Sequence, residues 1–160
     1  MQSEIESPGK KPVQILEFLE LMLADEYVLA VRTRDARRNV YGRNVTGLRK
    51  LFREHCKYLD SAVVDMEGRA RSLGRRTPPT FTHSMKATRL GVHSEKLTGQ
   101  NEIIKALLED HKSLICSLAG ARRCRPGSDI LDFVTPLLDQ HIGMVDTLRE
   151  WLQEVAPEMR

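Results

Sequence analysis

The strongest constraint on this chain is a stripe. Leu48, Leu51, Phe52, His55, Leu59, Ala62, Val63, Met66, Ala70 and Leu73 follow one another at steps of one, three or four residues. That spacing lines one face of an α-helix and cannot alternate across a strand. Roughly seven turns share the face, so the segment needs partners of similar length to cover it.

Three more segments supply them. Val13, Leu16, Leu19, Leu23, Tyr27 and Ala30 predict a helix from Pro12 to about Tyr41, with Pro12 in a first turn that tolerates it. Ile103, Ile104, Leu107, Leu108, His111, Leu114, Ile115 and Leu118 predict another from about Gly99 to Arg123. Leu131, Val134, Leu137, Leu138, His141, Val145, Leu148 and Leu152 predict a fourth, from Ser128 or Asp129 to Val155. Pro136 falls well inside it and predicts a local kink.

The punctuation between helices sets their arrangement. Gly42 closes the first helix and Asn44 is positioned to cap the second; Gly74 closes the second, and Pro126 and Gly127 break the third from the fourth, where Ser128 is the expected cap. Short turns make the first and second helices antiparallel neighbours, and likewise the third and fourth. Between the two hairpins lies a crossover of roughly 25 residues that opens with Thr77, Pro78 and Pro79 and carries a predicted short helix around His83 to Leu90. Two hairpins joined by one long crossover is the plan of ferritin-like four-helix bundles, so the expected fold is all-α. Residues 12–155 form its single domain, between tails at 1–11 and 156–160 expected to be mobile.

Composition narrows function. Apolar residues make up 41% and aromatic residues only 5%, a balance suited to helices with one apolar face. Cys56, Cys116 and Cys124 include no CxxC pair, which argues against a disulfide framework or zinc knuckle and for a reducing cytoplasm. The start lacks a signal-peptide core and no apolar run approaches membrane-spanning length. A net charge of +3 permits phosphate contact without demonstrating it. No nucleophile motif or glycine-rich phosphate loop is present.

The stretch LADEYVLAVRTRDARRNVYG at Leu23 to Gly42, with LRKLFREHCKYLD and RARSLGRRTPPTF after it, resembles the first half of a Dps (DNA-binding protein from starved cells) subunit of the ferritin superfamily. ALLEDHKSL at Ala106 to Leu114 and DFVTPLLDQHIGM at Asp132 to Met144 resemble that family's third and fourth helices. The resemblance implies a cytoplasmic homododecameric shell that takes up iron(II), oxidises it with peroxide and limits damage to DNA. It also implies a di-iron site at a twofold interface, built from two histidines, two aspartates and a glutamate.

At the corresponding positions stand Arg37, Arg49, Arg53, Val64 and Gly68. All five have lost ligand chemistry, and a register shift to Asp65 and Glu67 would turn those side chains by about 100° per residue. No standard ferroxidase centre is expected, hence no cofactor at the interface, although iron can occupy the cavity or pores. The arginines would replace the metal electrostatically, paired with Glu54, Asp60, Asp65 or Glu67, or would extend into solvent on packed aliphatic stems.

Asp129, Asp132 and Asp139 are candidates for the acidic iron-entry pores that the resemblance implies, against helix-dipole complementation by Asp129 and Asp132. Lys10, Lys11, Arg75 and Arg76 are the DNA-contact candidates, a footprint consistent only with weak, salt-sensitive, non-specific binding; nucleoid association would follow from it. His55, His111 and His141 lie on apolar stripes, either as hydrogen-bonded core residues or as a cryptic metal site completed by Asp110, Glu54 or Asp65. His83 and His93 are expected in surface loops. Three functions stay open: a Dps-like iron-storing cage or co-assembly partner of an active paralogue, a structural or DNA-packing shell without metal chemistry, and a ferroxidase with displaced ligands.

Overall fold

The computed structural model of the chain describes residues 10–75, 80–93, 97, 99–124 and 127–155. Five helices follow in order: α1 (Lys10–Asn39), α2 (Val45–Ser72), α3 (Phe81–Ala87), α4 (Gln100–Arg123) and α5 (Ser128–Val155). Four are long and form an all-α ferritin-like bundle. Arg76 and the segments 1–9 and 156–160, where tails were expected, lie outside the described residues.

Cross-bundle contacts fix the helix directions. Arg34 meets Asp60 and Arg75 meets Glu20, so α1 and α2 are antiparallel. Arg32 bonds Asp110, and Tyr41 forms an isolated bridge with Gly99, so α4 starts beside the end of α1. The crossover therefore travels the length of the bundle, and the order is up, down, down, up. Asp25 anchors the return: buried in α1, it accepts bonds from Thr88 Oγ1 (2.8 Å), the Arg89 amide (2.7 Å) and Arg89 Nε (3.0 Å).

The predicted stripes become the core. Leu48, Phe52, Leu59 and Met66 of α2 are fully covered, facing Leu19, Met22 and Leu29 of α1, Ile104, Leu114 and Leu118 of α4, and Leu148 of α5. Several boundaries differ from expectation. Helix α1 begins at Lys10, so Lys10 and Lys11 belong to a helical turn and not to a tail; Pro12 is still tolerated because the first amides of a helix have no internal acceptor. Asn44 precedes α2 but adopts a left-handed conformation (φ 54°, ψ 33°) and makes no side-chain cap bond, a region asparagine enters readily. Ser128 is already helical, and the Gly127 carbonyl accepts from the amides of Ile130 and Leu131. Helix α3 lies earlier than expected because Thr80 caps it, its side chain accepting from the His83 amide at 3.1 Å. Pro136 lies inside an unbroken α5.

Gly42 is required at the first turn. Its φ is 141°, and a Cβ there would stand 2.8 Å from Gln100 Oε1.

Candidate functional site

Each long helix places one polar side chain in the apolar interior at about the same height: Glu26 from α1, His55 from α2, His111 from α4 and His141 from α5. Glu26, His111 and His141 are fully covered and His55 is 5% exposed. Buried polar groups need partners, and these find them in one another. His141 Nε2 donates to Glu26 Oε2 at 3.0 Å, and the Nδ1 atoms of His111 and His141 share a hydrogen bond of 2.9 Å. The His111 and His141 ring centres are 5.1 Å apart, those of His55 and His111 6.2 Å.

The tautomer of His55 follows from its neighbour. Thr147 Oγ1 donates its proton to the Met144 carbonyl at 2.8 Å, so at 3.1 Å it accepts from His55 Nε2. His55 Nδ1 is then a lone pair, and it is buried with no protein partner; Glu26 Oε1 and His111 Nε2 are in the same condition. Burial pushes His55 down to about 4, helped by the charge of His141. Burial also holds His111 well below the ordinary histidine range, with His141 and His55 adding to it. Both rings are therefore neutral at pH 7.

The hydrogen-bonded core reading of the three histidines agrees with these bonds, and the carboxylates named for the alternative metal site, Asp110, Glu54 and Asp65, do not bond to the cluster. Asp110 is buried on the other side of α4, where its Oδ1 accepts from Arg32 Nη1 and His93 Nε2, each at 2.8 Å. Glu54 and Asp65 are exposed, and Asp65 pairs with Arg69 at 3.2 Å. The carboxylate that reaches the cluster is Glu26, which the sequence reading passed over although it lies in phase with Leu19 and Leu23. His93 is partly buried against Asp110 and not free on a loop, while His83 is exposed on α3.

The five positions implied by the family resemblance are dispersed over the outer face of the α1–α2 hairpin. Arg49, Arg53, Val64 and Gly68 share an outward strip of α2 and are exposed, and nothing lies within 4 Å of a Cβ built on Gly68. Arg37 is half-buried on α1, where its charge opposes the upward push of burial on the Cys56 thiol. Arg49 Nη2 donates to the Val40 carbonyl at 3.2 Å, just beyond the end of α1, a favourable place for a cation. Among the carboxylates expected beside these arginines, Asp60 is taken by Arg34 within the chain.

Asp129, Asp132 and Asp139 are all exposed on α5, and their spacing by three and seven residues puts them on one face. Of the DNA-contact candidates, Arg75 is largely covered and paired with Glu20 at 3.3 Å, and Lys10 and Lys11 occupy the first turn of α1. None of the helices among the described residues is long and apolar enough to cross a membrane.

With this geometry the chain superposes on known subunits along almost its whole length. DpsC from Streptomyces coelicolor matches 95% of the chain and 91% of its own, with TM-score 0.85 at 17% identity. The fold is the ferritin-like fold of Dps subunits. Dps from Thermosynechococcus elongatus is similar over 88% of this chain and 90% of its own (TM-score 0.81, 19% identity). A dodecameric thioferritin from Bacteroides fragilis, a bacterioferritin-related protein, is similar over 91% and 88% (TM-score 0.84, 14% identity). By sequence, an uncharacterized low temperature-induced protein of Nostoc sp. is 25% identical over 144 residues, 87% of this chain and 80% of the relative. No family model matches the chain. The Dps-like fold thus comes with a short helix in the crossover and a histidine cluster that family resemblance did not point to.

Proposed function

We propose that the chain is the subunit of a Dps-like closed shell that stores or sequesters iron without an interface ferroxidase centre. The observation that carries this reading is the superposition of the chain on Dps subunits over about nine-tenths of both chains. The α2 strip supports the second half of it. Arginine, valine and glycine at Arg37, Arg49, Arg53, Val64 and Gly68 offer neither carboxylate nor neutral imidazole, so these residues do not fit a di-iron group, and guanidinium groups repel iron(II). Val64, 66% exposed at the middle of that strip, suits burial against a second subunit. Iron, as cargo, would enter past Asp129, Asp132 and Asp139, whose carboxylates attract hydrated divalent cations. DNA contact is a minor part of this reading, because Arg75 is engaged by Glu20.

The test combines mass and iron chemistry. Light scattering on the purified chain is expected to give about twelve subunits, and iron(II) with peroxide is expected to oxidise no faster than in buffer while aerobically oxidised iron is retained in the protein fraction. A stable monomer would remove the shell, and rapid peroxide-dependent oxidation would remove the claim about its interface.

A further inference from the structure

We propose that His55, His111 and His141 form a binding site for one divalent transition-metal ion in the bundle core, with Glu26 and Thr147 orienting two of the three rings. Four helices contribute to one layer of the interior, the arrangement by which bundles hold ions between facing helices. The polar groups are costly where they stand: His55 Nδ1, His111 Nε2 and Glu26 Oε1 are buried without a protein partner, and a half-satisfied network is less stable than an apolar core. An ion bound among the rings would take up the His55 Nδ1 lone pair.

The hydrogen bonds already orient two ligands. His141 and His55 are each held through Nε2, one by the Glu26 carboxylate and the other by the Thr147 hydroxyl, and each presents Nδ1. A histidine that binds metal through one nitrogen while donating the other N–H to an oxygen is the usual supporting arrangement. The Nδ1 atoms of His111 and His141 are 2.9 Å apart. Two imidazole nitrogens about 2.05 Å from one tetrahedral ion stand about 3.3 Å apart, so the pair must open by about 0.4 Å for an ion to replace the proton these rings share.

The third ring is less advanced. Among the described residues, no three such side chains already surround one point. Two imidazoles on one tetrahedral ion have ring centres roughly 5 Å apart; His111 and His141, at 5.1 Å, meet this, whereas His55 and His111, at 6.2 Å, need about 1 Å of movement. His55 is also the member of the trio that retains some exposure, which gives an ion a way in. Three neutral imidazoles and no thiolate suit zinc(II) or cobalt(II) and not magnesium or calcium.

All ligands come from one chain, so binding does not depend on the shell, and failure of either idea leaves the other standing. The chain is freed of metal with chelator, equilibrated with zinc(II) at micromolar concentration, separated from free ion and analysed for zinc, with cobalt(II) absorption as a second probe. About one tightly held ion per chain is expected, with cobalt giving the intense visible bands of a low-symmetry nitrogen site. H111L and H141L should weaken binding at least 100-fold; E26Q, which leaves all three ligands in place, should weaken it about 10- to 100-fold, and H83Q should leave it unchanged. Circular dichroism checks that each variant is folded, and anomalous scattering at the zinc edge from wild-type crystals locates the ion whether or not the variants fold. Substoichiometric zinc in the wild-type chain, density only outside the core, or unaltered affinity in folded H111L would each overturn the proposal.

Discussion

Removing the Asp25 carboxylate should release the crossover before it unfolds the bundle. Asp25 is 1% exposed and accepts from Thr88 Oγ1, the Arg89 amide and Arg89 Nε; Arg89 Nη2 also lies 2.8 Å from its Oδ2. Breaking one side of a buried ion pair costs about 3–5 kcal/mol. The Arg89 side chain is 40% exposed and can turn to water, which lowers the expected loss for Asp25→Ala to about 3 kcal/mol, because the Thr88 hydroxyl and Arg89 amide still lose their acceptor. At 1.4 kcal/mol per factor of ten, local opening around Thr88 to Gly91 should become roughly 100-fold more frequent. Native-state hydrogen exchange reads this directly at the Arg89 and Leu90 amides, with Asp25→Asn, which keeps an acceptor, falling between. Exchange at those amides within about threefold of wild type, while α1 remained folded, would refute the idea that this carboxylate holds the crossover down.

Three further outcomes follow from the packing. Gly42→Ala should destabilise by about 1–3 kcal/mol in a thermal melt, from strain at positive φ together with the close approach of Gln100. Leu59→Ala, at a site with no exposure, should cost about 2–5 kcal/mol in denaturant unfolding. In metal-free protein, stability should fall as pH drops from 6.5 towards 4: unfolded His55 takes a proton at 6.5, whereas the folded ring resists to about 4. The unfolded state therefore binds more protons in that window, and the gap amounts to about 3 kcal/mol at ~1.36 kcal/mol per pH unit. His111, lowered in the same direction, adds to the loss. H55L should flatten the pH dependence of the melting temperature, and an unchanged slope would contradict the burial argument.

The four long helices and their pairing were readable because the apolar stripes are long and Gly42, Gly74 and Gly127 mark the breaks. Helix ends were less readable. Asn44 and Ser128 have good capping chemistry, yet local geometry put one in the left-handed region and drew the other into the helix. Thr80 was masked by the prolines before it. At the site, His55, His111 and His141 were visible because a histidine in phase with leucines must face the interior. Glu26 carried the same signal, three residues after Leu23 and seven after Leu19, but a glutamate in phase with leucines is far less often buried than a histidine there. The two acids have opposite tasks: Asp25 holds the crossover, Glu26 faces His141. That division depends on which side of α1 the crossover returns along, and helical periodicity alone does not say.

Glu26 and His141 are separated by 115 residues. During synthesis the α1–α2 hairpin is complete well before α5 exists, so its buried face carries a carboxylate whose partner has yet to be made. A nascent hairpin of this kind cannot seal its own interior. It must stay hydrated around Glu26, and open to misassociation, until the last helix arrives. Slow decoding ahead of α5 would lengthen that exposure.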